Sequence, residues 1–317
     1  MMQGISIDAF SFADIAGNCL ACGSDALQSW DDTVEHELAV GGFRNSKCLG
    51  CRTVFTNPRP DRKSLSGFYE TFEGHDDQAF VKASLRYYSD PGRRAARHKD
   101  YLAPLLARKQ SGRLLDFGCG AGWFAAMARD EGFEVDGIEQ MPAAVEAAQK
   151  ELGLSTVRQG DEDALPETPT YDVIVCNNLI EHVTDPLDFA RKVRASLKPG
   201  GLWMVNFPSA DSAMFKSFGA HSYYFMTPYH LTHFTRSGFS AMMARAGFQN
   251  TEYDLQSEAF YWMKGFVSKL GLADAYARWR NDPDFVSFDI ALDGLLASIS
   301  LDGDQPALNE ICFAKLG

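Results

Sequence analysis

No stretch of this 317-residue chain approaches the roughly 18 uninterrupted apolar residues that a membrane span requires. Its opening residues, MMQGISIDAFSFADIAG, show no basic segment leading into a long apolar run, so the chain is expected to be cytoplasmic and without membrane contact. Positive charge is also in short supply: 30 Lys and Arg stand against 42 Asp and Glu, a formal net charge of −12. The basic residues are scattered, and the nearest approach to a cluster, Arg93, Arg94 and Arg97, reads as one face of a helix. Counterion release needs Lys and Arg gathered on one surface, so nucleic acid is not an expected partner. Apolar residues are plentiful, and 45% hydrophobic content over this length supports one large core and a smaller module.

The stretch at 114–123, LLDFGCGAGW, is informative for a glycine that it does not have. An apolar strand runs into Asp116 and then into alternating Gly118, Gly120 and Gly122, after which AGWFAAMARDEG reads as a helix. The dinucleotide fingerprint G-x-G-x-x-G would need glycine at position 123, where Trp123 stands, and Asp116 would repel a pyrophosphate. A cationic adenosyl ligand without phosphate suits this loop better, and S-adenosylmethionine (SAM) is such a ligand. The glycines let backbone approach its methionyl part, where a Cβ would collide. Asp116, Gly118, Cys119, Gly120 and Gly122 are the first candidate cofactor contacts.

Of seven cysteines, four form C-x2-C-x25-C-x2-C: Cys19, Cys22, Cys48 and Cys51. Two short C-x-x-C loops can close a tetrahedron of thiolates around Zn²⁺. Gly23 and Gly50 suit the tight turns of such knuckles, and the intervening WDDTVEHELAVGGFRNSK has strand-like pieces about a Gly-Gly turn, as in a zinc ribbon. A redox pair is the rival, but two pairs exceed what a thioredoxin-like motif needs. A closed four-thiolate site has no open position, so this zinc is expected to be structural, and the alternative is a ribbon that forms one wall of the substrate pocket. Cys119, Cys176 and Cys312 read as small buried hydrophobes.

Four further segments follow in order. FEVDGIEQ reads as a strand ending in Glu139, placed about 20 residues after the glycine loop to accept from ribose hydroxyls. STVRQGDEDALP brings Asp161 and Glu162 toward an adenine amino group, YDVIVCNNLIEHV ends a buried strand in Asn177 and Asn178, and LKPGG is a turn into the next strand. With DFGCGAG, these motifs resemble the class I SAM-dependent methyltransferases, in the branch that holds the ubiquinone-pathway O-methyltransferases and many small-molecule and sugar methyltransferases. The resemblance spans residues 100–255. It implies an α/β fold, a Rossmann-like seven-stranded, mostly parallel sheet, here with a small N-terminal zinc ribbon and a C-terminal helical insertion before the last strand. The expected divisions are a zinc-ribbon-like module at 1–60, a helical cap or linker at 61–110, a SAM-binding domain at 111–257, and the insertion with the last strand at 258–317.

In-line methyl transfer asks mainly that the acceptor be held close to the methyl carbon, opposite the departing sulfur. Where the acceptor is a hydroxyl or an acidic C–H, a base must take its proton. His182, after the fourth strand, is the first candidate, and its plain reading is a residue that only fixes the following loop. The aromatic-rich stretch 208–235 is expected to form a lid over the acceptor, and its His221, His230 and His233 compete for the same role. Tyr87, Tyr88 and Arg97 are candidates for the methionyl carboxylate, against a reading as core tyrosines and a solvated arginine. NLIEHV also resembles the E-x-x-E-H element with which some ubiquinone-pathway and RNA 2′-O-methyltransferases bind a divalent ion. That resemblance implies ligands from Glu181, His182, His230 and His233, with Asn178 standing where a carboxylate is expected. The expected acceptor is a small molecule or glycan precursor methylated at oxygen or carbon, and the C-terminal helices are a candidate homodimer surface. A non-catalytic SAM-binding module that contacts a protein through its ribbon is the alternative class.

Overall fold

The computed structural model describes residues 7–30, 42–71, 77–219, 222, 224–256 and 309–316. The expected helical insertion before the last strand, its dimer surface and His221 lie outside these residues. The chain begins with three short antiparallel strands, β1 (Leu27–Trp30), β2 (Asn45–Cys48) and β3 (Val54–Thr56). Helices α1 (Arg62–Thr71), α2 (Asp77–Ser89) and α3 (Pro91–Arg97) follow, and a π-turn at His98–Leu102 joins α3 to α4 (Ala103–Leu106). The break between α2 and α3 is local chemistry: Pro91 starts the new helix and the Asp90 carboxylate accepts from Arg93 N–H at 3.0 Å.

A β/α alternation then builds the main domain: β4 (Arg113–Phe117), α5 (Trp123–Asp130), β5 (Glu134–Glu139), α6 (Pro142–Glu151), β6 (Val157–Gln159), β7 (Tyr171–Asn177), α7 (Pro186–Ser196) and β8 (Leu197–Pro208). After β8 come α8 (Ala213–Phe218), β9 (Thr232–His233), α9 (Arg236–Ala246), β10 (Asn250–Gln256) and β11 (Asn309–Lys315). Seven strands form one sheet in the order β10-β11-β8-β7-β4-β5-β6, with β11 antiparallel to both neighbours and the other pairings parallel. This is the class I methyltransferase architecture that the motif order implied.

Both faces of the sheet are covered, which is why its central strands are apolar without alternation. Leu114, Val173, Met204 and Phe313 pack on one face with Phe124 of α5, and Leu115, Ile174, Trp203 and Cys312 on the other with Phe189 of α7 and Phe239 of α9. Each fully buried side chain of this size contributes about 1.5–3 kcal/mol. The chain winds outward from β4 through β5 and β6, then returns to the other side of β4 with β7. That reversal opens a crevice at the carboxyl ends of β4 and β7, the place where such sheets bind ligands.

The four-cysteine module joins this domain without a break. Strand β9, from the stretch expected to form the lid, pairs with β3 as the fourth strand of the small sheet, in the register Val54↔His233 and Phe55↔Thr232. The Thr235 and Ser237 hydroxyls donate to Cys51 O at 2.6 and 3.1 Å, and Arg245 donates to Leu20 O and Ala21 O at 3.0 and 2.6 Å. Gly238 of α9 lies so close that a Cβ there would stand 2.0 Å from Thr53 Oγ1. The module buries Cys19, Cys48, Cys51 and Phe55 in the same core as Phe117 and Trp203.

Candidate functional site

The glycine loop leaves β4 in left-handed conformations, with φ of +73° at Gly118, +53° at Gly120 and +82° at Gly122. Side chains are disfavoured there for a second reason: a Cβ on Gly118 would meet Leu179 at 2.8 Å, and one on Gly122 would meet Leu154 at 2.6 Å. Gly118 and Cys119 donate to Ile138 O at 2.8 and 3.2 Å, and Cys119 itself is buried. The Glu139 carboxylate bridges the crevice, accepting from Gly120 N–H at 2.8 Å and from Met141 N–H at 2.9 Å. Phe80 and Ser84 of α2 close over Gly120, within 3.4–3.6 Å of where its Cβ would be.

Two polar side chains at the carboxyl ends of the strands carry unmet hydrogen-bonding capacity. Asp116, 2% exposed, has no partner for Oδ2, and burial pushes its carboxyl up to about 7, with the Glu139 charge adding to the effect. Asn177 lacks a partner for both its Oδ1 and its Nδ2. The predicted adenine contacts are engaged differently: Asp161 caps a short turn through Asp163 N–H at 3.0 Å, and Glu162 pairs with Arg62 of α1 at 2.9 Å. The predicted carboxylate contacts also have other partners. Arg97 donates to Tyr101 at 2.7 Å and lies over the Tyr87 ring at 4.3 Å, and Tyr88 donates to Asp130 at 2.7 Å.

Beyond Asn177 the chain turns through Ile180–His182, and here three side chains predicted from sequence meet. Glu181 Oε1 stands 3.9 Å from His182 Nε2 and 4.0 Å from His230 Nε2. His182 Nδ1–H donates to Tyr229 O and His230 Nδ1–H to Tyr224 O, each at 2.7 Å, which fixes both rings beside the carboxylate. Burial lowers His182 to about 4 and raises Glu181 to about 8, and neither Glu181 oxygen has a hydrogen-bond partner. His233 stands apart from this trio. Its ring is 6.3 Å from that of His230, burial lowers it to about 3, and it packs against Phe225.

The four cysteines converge as spaced. Their Sγ atoms all lie within 4.8 Å of one another, with Cys19–Cys51 at 3.6 Å and Cys22–Cys48 at 3.5 Å. A tetrahedron with metal–sulfur bonds of about 2.3 Å has edges of about 3.8 Å, so the set matches that geometry and none of the four is in a disulfide. Cys51 N–H points at Cys48 Sγ, 3.4 Å away. Gly23 turns the first knuckle at φ +83°, as expected, but Arg52 at φ +65° turns the second, and Gly50 does not. The left-handed position follows the second cysteine in both loops, at Gly23 and at Arg52, so in the second loop it lies two residues beyond Gly50.

Residues 87–253 match the methyltransferase domain family, which is more than half of the chain. The chain belongs to that family. Among curated relatives of this methyltransferase is a ubiquinone biosynthesis O-methyltransferase from Xanthomonas campestris pv. campestris, 32% identical over 172 residues, covering 50% of this chain and 69% of the relative. Another with the same name, from Vibrio parahaemolyticus, is 38% identical over 95 residues, covering 28% of this chain and 40% of the relative. The structure of phosphoethanolamine N-methyltransferase 2 from Haemonchus contortus in complex with SAM is similar in fold, with a TM-score of 0.51 at 17% identity, covering 83% of this chain and 63% of that one.

A SAM-dependent methyltransferase must hold a cation, and the crevice fits one. The orphaned, buried Asp116 oxygen and the two unmet polar atoms of Asn177 offer donors and acceptors to an amino acid moiety, beside glycines in a left-handed backbone that other residues rarely adopt. Sequence reasoning missed Ser84, Leu179 and Arg59. Ser84 and Leu179 face the loop only because the fold brings them there. Arg59, between two prolines in a polar linker, carries no local mark to separate it from a solvated residue.

Proposed function

We propose that this methyltransferase moves the SAM methyl group to a hydroxyl oxygen of a small-molecule acceptor seated between the glycine loop and the turn at Ile180–His182. The carrying observation is the convergence of Glu181, His182 and His230 beside the carboxyl end of β7. Asp116 and Asn177 hold the amino acid end of SAM, and Glu139 turns from its backbone partners to the ribose. His182, neutral at working pH and oriented by Tyr229 O, accepts the hydroxyl proton as the oxygen attacks the methyl carbon in line with the sulfur. The curated relatives named as O-methyltransferases support oxygen over carbon.

One observation favours a second reading. A buried carboxylate without hydrogen-bond partners, flanked by two imidazole nitrogens, is a donor set for a divalent cation. A bound cation would lower the pKa of an acceptor hydroxyl, and Glu181, His182 and His230 would hold it. In the N-terminal module we infer a structural Zn²⁺ on Cys19, Cys22, Cys48 and Cys51, which leave no ligand position for substrate.

The test is S-adenosylhomocysteine formation over a panel of catechols, phenols and nucleotide sugars, with wild type, His182→Ala and EDTA-treated enzyme. Turnover of a hydroxyl acceptor is expected, with His182→Ala lowering kcat by about 10²–10⁴ at unchanged SAM affinity. Activity lost in EDTA and restored by Mg²⁺ or Mn²⁺ selects the cation reading. Unchanged kcat in His182→Ala removes the base, and methylation of a ketosugar carbon alone removes the oxygen assignment.

A further inference from the structure

Arg59 leaves the four-cysteine module and enters the catalytic domain almost completely buried, at 8% exposure. Its guanidinium donates through one NH₂ group to Val183 O at 2.9 Å and through the other to Thr232 Oγ1. Val183 directly follows the turn that carries Glu181 and His182. Thr232 lies in β9, two residues after His230. One buried fork therefore grips both chain segments whose side chains meet in the Glu181–His182–His230 cluster.

The grip is expensive, and that argues for a role beyond filling space. Among the described residues no carboxylate stands within ion-pair distance of Arg59, and its Nε has no hydrogen-bond partner. Burial lowers its pKa to about 9, against only a distant contribution from Asp185, so the group stays charged at neutral pH while surrendering much of its solvation. A methionine of similar length would occupy the same volume without that penalty. What methionine cannot do is hold two oxygens at a set separation in one plane, which the guanidinium fork does.

The backbone around Arg59 shows what is being aligned. Thr56 N–H donates to Leu231 O at 2.9 Å and Leu231 N–H to Glu181 O at 2.8 Å, so module, lid strand and turn form a hydrogen-bonded series. That series fixes spacing along one line, and the guanidinium adds a second tie off that line, between Val183 and Thr232. With both in place, the two segments have little freedom to slide against one another. We propose that Arg59 is a positioning residue for methyl transfer, setting the turn of Glu181 and His182 against the lid strand beside His230 and so passing the integrity of the four-cysteine module to the acceptor side. The proposal rests on the reading that this cluster faces the acceptor.

The test uses the full chain with Arg59→Met, Arg59→Lys and Thr232→Val, singly and with Arg59→Met and Thr232→Val combined. The first measurement is backbone hydrogen exchange, which needs no acceptor. Arg59→Met is expected to accelerate exchange at residues 179–183 and 229–233 about tenfold or more, while residues 114–123 and SAM affinity stay at wild-type values. The second is turnover with the acceptor that the panel selects. Arg59→Met is expected to lower kcat on the order of 10–100-fold with KM for SAM unchanged, since displacements of about 1 Å have effects of that size. Arg59→Lys recovers part of the loss, and the double variant falls short of the product of the single effects because both changes cut one tie.

Exchange that is unchanged, or accelerated equally in the glycine loop, overturns the proposal, as does a kcat loss matched by a loss of SAM affinity. Should Arg59→Met fail to fold, Thr232→Val alone decides through the same two measurements. If no acceptor turns over in wild type, the functional reading is what fails, and the exchange arm still decides whether Arg59 holds the two segments.

Discussion

On the proposed reading, in which Asp116 meets the amino acid end of SAM, binding of SAM is a proton-linked event. The Asp116 carboxyl is pushed up to about 7 by burial, with Oδ2 unpartnered, about three units above an unfolded aspartate. Between those two values the native carboxyl keeps a proton that the unfolded chain has lost. The stability this group supplies is therefore complete below about pH 4 and falls as pH rises toward 7, by about 4 kcal/mol in total. A cation placed against the carboxylate reverses the preference, so SAM must expel the proton as it binds. At pH 6 about nine-tenths of the unliganded protein is protonated and nearly one proton should be released per SAM, whereas at pH 7.5 the figure is about a quarter. Affinity should rise about eightfold from pH 5.5 to 6.5 and level off above 7.5. Calorimetric titration in two buffers of different ionisation enthalpy measures the released protons directly. Asp116→Asn should abolish the release at pH 6 and weaken binding about 10–100-fold at pH 7.5, the worth of a buried charge-assisted contact. The amino group of SAM titrates at about 7.7–8.0 and is common to both proteins, so their difference isolates Asp116. Equal proton release from wild type and Asp116→Asn would falsify the account.

Two glycines should respond to alanine with opposite signs. Gly67→Ala in α1, with nothing within 4 Å of the new Cβ, should stabilise by about 0.5–1 kcal/mol. Gly238→Ala in α9 gains no more than that from helix propensity, yet its Cβ meets Thr53 Oγ1 at 2.0 Å and Cys51 Sγ at 3.2 Å, so overpacking of about 1–3 kcal/mol should win and lower Tm. A higher Tm for Gly238→Ala would show that the module yields to α9 at no cost. Purified protein should carry one zinc per chain by elemental analysis. Cys48→Ser should lose it and accelerate hydrogen exchange in β9 as well as in β2, because β3 pairs with both. Exchange confined to the module would mean that the two parts are uncoupled.

Much of the fold was legible because its signals are local. The step from LLDF into alternating glycines acts within one turn of chain, so its conformation followed from residue identity. The second knuckle shows where that reasoning fails. Gly50 was the natural choice for a left-handed turn, but the left-handed position is the one after the second cysteine, where Arg52 stands. Glu162 was named from sequence as an adenine contact, but nothing local announced its ion pair with Arg62, 100 residues earlier.

By itself the sequence determined the donor and the sheet that binds it. A glycine loop, a buried acid and a strand-end carboxylate are short-range features whose steric and electrostatic demands hold wherever the chain goes next. Tertiary structure decided which of the candidate side chains meet, and what ties them together. Glu181 and His182 come from one turn, His230 from a stretch nearly fifty residues later, and Arg59 from a linker more than a hundred residues before, and no periodicity or spacing relates them. They meet because β3 of the N-terminal module finds its fourth strand in β9, a pairing set by long-range backbone hydrogen bonds and burial that the residues themselves do not announce.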